Sequence, residues 1–259
     1  MTAIRLGGMA LGNGVLVHGP KAWACAIRTE DGELKVAAQP KRFRAAGVRN
    51  PILRGPARLA EAFALLPIVK RALPEAELPM QRPRVLASMV ISAAAASGAR
   101  RSALRPVARE LVTAVLSLAP AAFALRGGEL ASYHGAEHIS IGSYEHGEAR
   151  PKEHERCGSH LVGPMLLTSA AGNLAAEKAP ERLRSLARVA STLGAVAASV
   201  EIFGWMTRNP KHPLARALAK PGHDLQHRLG TREPTPDQLE VAEAALAACL
   251  QLESAGLEE

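Results

Sequence analysis

Residues 133–138 read Tyr-His-Gly-Ala-Glu-His, so that His134, Glu137 and His138 form the pattern H-x-x-E-H. On an α-helix the two histidines lie one turn apart on the same face. Two imidazoles on one face can hold one divalent cation, and Glu137 beside them can act as a general base toward water. Five of the nine histidines lie between His134 and His160, so the surrounding sequence is also rich in metal-binding side chains. The pattern therefore predicts a helix that carries a metal site.

The order of these residues is the reverse of the H-E-x-x-H zinc motif, and it is typical of the inverzincin class of zinc enzymes. In that class the glutamate is the base. This predicts Glu137 as the catalytic residue and His134 and His138 as ligands of a divalent metal, with zinc expected. The alternative is a pair of hydrogen-bonded histidines with an exposed carboxylate beside them.

A third ligand must come from elsewhere in the chain, because a catalytic zinc site usually has three protein ligands and one open position. Cys157 is the first candidate, since Arg156 beside it stabilises the thiolate. Glu201 is the closest alternative, because it is the only charged residue between positions 189 and 207 and a carboxylate there needs a partner. If both were ligands, no position would stay open and the site would be structural. Further candidates near the motif are His154, Glu145 and, as a hydrogen-bond donor or a packing residue, Tyr133.

Charge and composition narrow the class of partner. The net charge is +8, and ten basic residues face only three acidic ones in the first 58 positions. Such a surface favours anionic partners such as phospholipid headgroups or nucleic acid, although a solvated basic face explains it equally well. Aromatic residues make up 3% of the chain, too few for base stacking, and no nucleic-acid recognition motif is present. We therefore expect membrane lipid rather than nucleic acid as the partner.

The apolar segments leave two locations open. Three cysteines, far apart, do not imply a disulfide framework, so a reducing compartment is expected, and the first residues lack the apolar core of a signal peptide. The apolar stretches are shorter or more polar than the roughly 20 residues of a membrane span, which favours buried helices of a bundle. A tight or re-entrant membrane arrangement is the alternative for these segments, which are 85–99, 111–125, 157–176 and 189–200.

Turn and helix-breaking residues divide the chain at about position 50. Residues 1–50 contain a Gly-rich lead-in, interpreted as tight turns, and a β-hairpin in which 21–28 and 33–37 flank Asp31-Gly32. Residues 51–259 are predicted to form the helical region that carries the motif. The predicted fold class is mainly α with a small N-terminal β-hairpin (α+β), a helical bundle that can be embedded in a membrane. Four helices are predicted over 84–98, 103–118, 161–176 and 181–207. Three more are predicted by their first residues, which lie near 53, within 127–132 and at 235.

Two segments are predicted to be irregular. Glycine and proline punctuate residues 140–158, and four prolines mark a connection over 210–234. After it, Thr235-Pro236-Asp237-Gln238 combines an N-cap threonine, a proline at the first helical position and the glutamine of a capping box. The apolar stripe of that last helix predicts packing against the core, and its members are Leu239, Ala242, Leu246, Cys249 and Leu250.

Several motifs in one order resemble the YqhQ-like family, also known as DUF1385. Tyr133–His138 matches its Y-H-G-A-E-H, and residues 154–159 resemble its H-x-R-C-G-T. Elements of its Gly-rich opening, its F-L-R-G and Y-E-x-G segments and its C-terminal motif are present as well. The segments that carry the resemblance are 7–20, 51–55, 133–138, 143–147, 154–159 and 221–234.

The resemblance implies a helical protein of the cytoplasmic membrane that is a predicted metal-dependent enzyme, and it implies no particular substrate. Met9, Asn13 and His18 stand where the family has Gln, Glu and Arg, and alanine-rich stretches stand where the family has strongly hydrophobic spans. These departures imply altered activity or a looser membrane attachment. The sequence as a whole predicts a membrane-associated, zinc-dependent hydrolase. The alternative is a non-enzymatic membrane scaffold or regulatory protein with a structural metal, and a cytoplasmic location is the alternative to the membrane.

Overall fold

The computed structural model describes residues 3–43, 45–125 and 128–255 as an antiparallel sheet followed by eight α-helices. The four strands pair in chain order, and they are β1 (Gly7–Ala10), β2 (Gly14–His18), β3 (Ala22–Arg28) and β4 (Leu34–Pro40). The helices are α1 (Pro51–Ala72), α2 (Pro83–Arg101), α3 (Pro106–Leu125), α4 (Glu129–His146), α5 (Val162–Glu177), α6 (Arg184–Arg208), α7 (Pro213–Leu225) and α8 (Pro236–Ala255). This architecture confirms the predicted mainly α fold with an N-terminal β element.

The N-terminal β element is larger than the sequence predicted. The predicted hairpin corresponds to β3 and β4, and Gly32 in its turn has a φ of 82°, which favours glycine. The Gly-rich lead-in, interpreted as tight turns, instead forms β1 and β2. These strands form because the short Val15-Leu16-Val17 stretch is buried on both faces and pairs with β3.

The sheet is covered on both faces, because successive side chains of a strand point to opposite sides. One face packs against α4 and α8 through Val15, Val17, Ala24 and Ala26. The other face packs against the C-terminal half of α1 through Leu16, Trp23, Cys25 and Ile27. The helix that carries the H-x-x-E-H motif, α4, therefore lies directly on the sheet, which fixes the position of its histidines.

The motif helix begins as predicted and ends later than predicted. It starts at Glu129, inside the predicted range 127–132, of which residue 127 lies outside the described residues. The expectation that the irregular segment starts at residue 140 is wrong, because α4 continues to His146. The helix ends where Gly147 takes the left-handed conformation, at a φ of 69°.

The proline-marked connection over 210–234 also contains a helix that the sequence reading missed. Pro213 lies at the start of α7, where its missing N–H costs no intrahelical hydrogen bond. The segment Gln226–Gly230 then forms a π-helical turn. Beyond it the capping box of α8 is confirmed, since the backbone N–H of Gln238 donates to Thr235 Oγ1 at 3.3 Å and the Gln238 side chain accepts from the Thr235 N–H at 3.0 Å.

The remaining helices pack in pairs, α2 with α3 and α5 with α6, and leave large apolar side chains exposed. The expectation that these apolar segments are buried is wrong, since Val90 is 71%, Leu111 62% and Val115 68% exposed. The alanine-rich helices bury small side chains between them, and no further layer covers the outer faces of the described helices. By length and composition, Ala108–Leu125 and Glu181–Arg208 are long and apolar enough to cross a membrane.

A buried ion pair lies where the chain passes from β4 toward α1. The Lys41 ammonium pairs with the Glu61 carboxylate, and the Lys41 side chain is only 1% exposed. Glu61 also accepts a hydrogen bond from the Ala45 backbone N–H. The Lys41 ammonium donates to Nδ1 of His18 at 2.9 Å, so the proton of this neutral ring is on Nε2. Burial, reinforced by the positive charge of Lys41, lowers the pKa of His18 to about 4.

The lowered pKa of His18 predicts that the protein loses stability as the pH falls from 6.5 toward 4. In that window the unfolded chain binds a proton at His18 that the folded chain does not bind. At about pH 5 the loss relative to neutral pH amounts to about 2 kcal/mol. We expect His18→Gln to remove that share of the pH dependence, measured by thermal unfolding of both proteins between neutral and acidic pH. Equal slopes for the two proteins would contradict this assignment.

Candidate metal centre

Three predicted ligands come together at one point. His134 and His138 lie one turn apart on α4, and their ring centroids are 4.2 Å from each other. Cys157, in the segment between α4 and α5, places its Sγ 3.5 Å from Nε2 of His134. One ligand atom from each of His134, His138 and Cys157 lies within 4.8 Å of the other two. These distances suit three ligands around one ion.

The hydrogen bonds of the two histidines leave the same ring nitrogen available on each. Nδ1 of His134 lies 2.7 Å from the carbonyl oxygen of Gly230, and Nδ1 of His138 lies 2.6 Å from that of Lys152. A carbonyl oxygen can only accept, so the ring proton is on Nδ1 and the lone pair is on Nε2. Histidines that ligate metals are usually oriented by a hydrogen bond of this kind. The donor set therefore fits a metal ion.

Burial supports the same protonation state. His138 is almost completely inaccessible to solvent, at 1% exposure. Burial lowers the pKa of its imidazole, although a hydrogen bond with Cys157 opposes the shift. His138 is therefore neutral near physiological pH, and the neutral ring is the form that binds metals.

Glu137 lies beside the ligand atoms and under the sheet. Its Oε2 is 3.9 Å from Nε2 of His134. A Cβ atom added to Gly8 in β1 would lie 2.2 Å from Oε1 of Glu137, so only glycine allows the strand to approach this closely. Burial raises the pKa of the Glu137 carboxyl. The sequence predicted turns at the glycines near residue 8 and did not show that Gly8 lets β1 pack directly against the Glu137 carboxylate.

Glu145 and His154 form a second, adjacent network. Nε2 of His154 lies 3.2 Å from one carboxylate oxygen of Glu145, and Arg156 donates to the other at 2.6 Å. Burial by itself would raise the pKa of Glu145, but the hydrogen bond from His154 and the charge of Arg156 outweigh it and lower the pKa. The ring of His154 lies 5.5 Å from that of His138. The network borders the three-ligand group without belonging to it.

Gln226 holds the segment that carries Cys157. Its side chain is fully buried. The Gln226 Oε1 accepts from the backbone N–H of His154 at 3.0 Å, and Nε2 donates to Oγ of Ser159 at 2.7 Å. The two contacts bracket Cys157. In the sequence, Gln226 is indicated only as a member of the C-terminal family motif over 221–234, which predicts no role for it.

The C-terminal motif also lies flat against α4. The backbone N–H of Arg232 donates to the carbonyl of Ala131 at 2.9 Å. A Cβ atom at Gly135 would lie 2.1 Å from the carbonyl oxygen of Arg232, so the glycine within the H-x-x-E-H motif permits this contact. The same close approach brings the carbonyl of Gly230 to His134.

Two other candidates lie away from the three-ligand group. Glu201 in α6 forms a bidentate ion pair with Arg54 of α1. Tyr133 is buried in the apolar core between the sheet, α4 and α8, where it packs.

Asn13, one of the departures from the family pattern, has a structural role. Its Oδ1 accepts from the backbone N–H of Glu77 at 2.9 Å, and its Nδ2 donates to the carbonyl of Arg28 at 3.1 Å. The residue joins the sheet to the segment that follows α1. Asn13 therefore takes part in the fold and is not a member of the His134, His138 and Cys157 group.

Fold and site together define a helical protein in which an N-terminal sheet supports a His₂Cys group. Residues 128–252 match the family described as a protein of unknown function (DUF1385), so this part of the chain is similar to that family, as its motifs predicted. The matched residues include α4, Cys157, Gln226 and most of α8. No curated protein and no solved structure matches the chain.

Proposed function

We propose that this protein is a membrane-associated, metal-dependent hydrolase with His134, His138 and Cys157 as its metal ligands. The observation that carries the proposal is the convergence of one ring nitrogen from each of His134 and His138 and the Cys157 thiol within 4.8 Å of one another. Each histidine is oriented by a backbone carbonyl on its other nitrogen. Such oriented imidazoles are typical of metal ligands.

Zinc is the metal that this donor set favours. Thiolate and imidazole together suit zinc, whereas magnesium and calcium prefer oxygen ligands. Three protein ligands with one open position is the arrangement of catalytic zinc sites. A cation held in this way polarises a carbonyl or phosphoryl oxygen and acidifies water.

Glu137 is the residue that moves the proton. Its buried carboxylate lies next to the ligand atoms, and it takes a proton from the attacking water and passes it to the leaving group. The water oxygen forms a new bond to the acyl carbon or phosphorus, and the bond to the leaving group breaks. Hydrolysis therefore needs no reactant besides water and the ester, amide or phosphate-type bond.

The membrane association rests on the exposed apolar helices. α3 and α6 are long and apolar enough to cross a bilayer, and large side chains such as Val115 point outward from them. A bilayer is the environment in which such surfaces cost least.

A non-enzymatic scaffold with a structural metal is the second candidate function. The 3.9 Å separation of Glu137 Oε2 from Nε2 of His134 favours it, because a small rotation of the carboxylate would make Glu137 a fourth ligand. Four protein ligands close a zinc site and leave no position for substrate.

Metal content of the purified protein tests the proposal. We expect close to one zinc per chain in the wild type and none in His134→Ala/His138→Ala, measured by elemental mass spectrometry. The matched control is His223→Ala/His227→Ala. These histidines are also one turn apart, with ring centroids 6.3 Å from each other, but they belong to no three-ligand group of the described residues. A folded wild type without metal, or equal metal in both double variants, would overturn the metal site.

A further inference from the structure

A long groove lies between α3 and α5. It encloses about 450 Å³ and is lined mainly by apolar side chains of the two helices, including Leu118, Met165 and Leu166. Arg100 of α2 also contributes to the lining. The hydroxyls of Thr113 and Ser117 in its wall already donate to carbonyls of their own helix, each at 2.8 Å. These polar groups therefore demand no polar partner from an occupant.

One end of the groove begins at the metal centre. Gly158 belongs to the groove wall, and it directly follows Cys157. A Cβ atom at Gly158 would meet nothing within 4 Å, so the wall of the groove is uncrowded at this residue. This end of the groove is therefore one residue away from a proposed metal ligand.

The other end is closed by polar contacts. Asn173 donates to Glu110 at 2.7 Å, and Arg109 forms an ion pair with Glu177. These contacts show that α3 and α5 run antiparallel, with the C-terminal end of α3 and the start of α5 nearest the metal centre. From Leu161 to Leu174 the groove is about 20 Å long, given the helical rise per residue.

The sides of the groove face outward. Leu111 on α3 and Leu167 on α5 are 62% and 55% exposed, and α3 is one of the two helices able to cross a membrane. The groove therefore opens into the region that the bilayer would fill. An occupant that comes from this region must tolerate hydrocarbon around it.

We propose that this groove binds the acyl chain of a membrane lipid and presents the bond next to its headgroup to the metal centre. A hydrocarbon chain has no hydrogen-bonding groups to satisfy, which suits the apolar wall, whereas an extended peptide would leave its backbone N–H and C=O groups without partners there. The inference rests on the proposed hydrolase function and names its substrate class. The substrate is an acylated amphiphile whose ester, amide or phosphate bond lies one chain length from the closed end.

Photochemical labelling tests the groove independently of turnover. The full-length protein is placed in phosphatidylglycerol vesicles that contain a phospholipid with a diazirine in its acyl chain, and labelled peptides are identified by mass spectrometry. We expect labels on α3 and α5 in the wild type and at least a tenfold loss in Ala170→Trp, because Ala170 lines the groove. Ala171→Trp is the matched control, since Ala171 is exposed on the same helix outside the lining and should label normally. Labels spread evenly over all exposed helices of the wild type, or equal labelling of both variants, would overturn the inference.

The same experiment separates the two proposals. We expect His134→Ala/His138→Ala to keep the labelling pattern, because the groove wall does not include these histidines. Groove labelling without cleavage of any added lipid by the metal-loaded wild type would support the groove and overturn the hydrolase function. Cleavage of short-chain and long-chain esters with equal kcat/KM, unchanged by Ala170→Trp, would support the hydrolase and overturn the groove as its substrate site.

Discussion

Glu137→Gln is expected to keep the metal and to lose about 10²–10⁴-fold in turnover, the usual contribution of a positioned general base. The amide has the shape of the carboxylate, so the close contact between Gly8 and residue 137 is preserved. An amide, however, cannot accept a proton from water. Metal content and hydrolysis of a p-nitrophenyl ester are measured on the same preparation, so that a loss of turnover is not confused with a loss of metal.

A surface carboxylate provides the control for Glu137→Gln. The Glu153 side chain pairs with His227 and is not one of the three ligand candidates, so Glu153→Gln should leave both metal and turnover unchanged. Loss of metal in Glu137→Gln would make Glu137 a ligand and favour the structural site. Full turnover in that variant would remove Glu137 from the reaction.

Lys41→Met is expected to destabilise the protein by about 3–5 kcal/mol, because it leaves the Glu61 carboxylate buried without its counter-ion. The methionine has a similar length and fills the same space. The loss is measured as the change in the free energy of unfolding, or in detergent as the shift of the unfolding midpoint. Both members of the pair are shielded from water, at 1% exposure for the Lys41 side chain and 10% for that of Glu61, which is why the effect exceeds that of a surface pair.

The double variant Lys41→Met/Glu61→Gln separates charge from packing. The glutamine is neutral, and its carbonyl can still accept from the Ala45 backbone N–H that Glu61 now satisfies. We expect the double variant to be more stable than Lys41→Met alone. If it were less stable, the cost would come from lost packing or hydrogen bonds around residue 41, and the uncompensated charge would not be its cause.

The sequence predicts turns and helix ends well where a few neighbouring residues determine the backbone conformation. The capping box at Thr235 and the Asp-Gly turn before β4 are local signals, and both are found where they were predicted. The strands β1 and β2 were missed because their pairing depends on β3 and on helices far along the chain. Proline breaks in the sequence concealed α7, since a proline at the start of a helix is as favourable as one in a loop.

Of the candidate site, the sequence predicted the three ligands but not the groups that hold them in place. Spacing on one helix identifies His134 and His138, and a short distance in sequence favoured Cys157, which the fold brings within 3.5 Å of His134. The groups that orient the ligands could not be read in this way. A backbone carbonyl such as that of Gly230 has no sequence signature, and Gln226 acts through a buried contact that only the folded chain creates.

The apolar core that joins the sheet, α4 and α8 also restricts the membrane topologies that the chain can adopt. A single packed core cannot be divided by a membrane, so under the proposed membrane association these three elements lie on the same side of the bilayer. The chain from β4 to α4, and the chain from α4 to α8, must each cross an even number of times or not at all. Under the proposed membrane association, the two candidate spans, α3 and α6, therefore each need the helix packed against them, α2 or α5, to return the chain to the side of the sheet. The proposed metal centre, built on α4, would then lie on the side of the bilayer that holds the sheet.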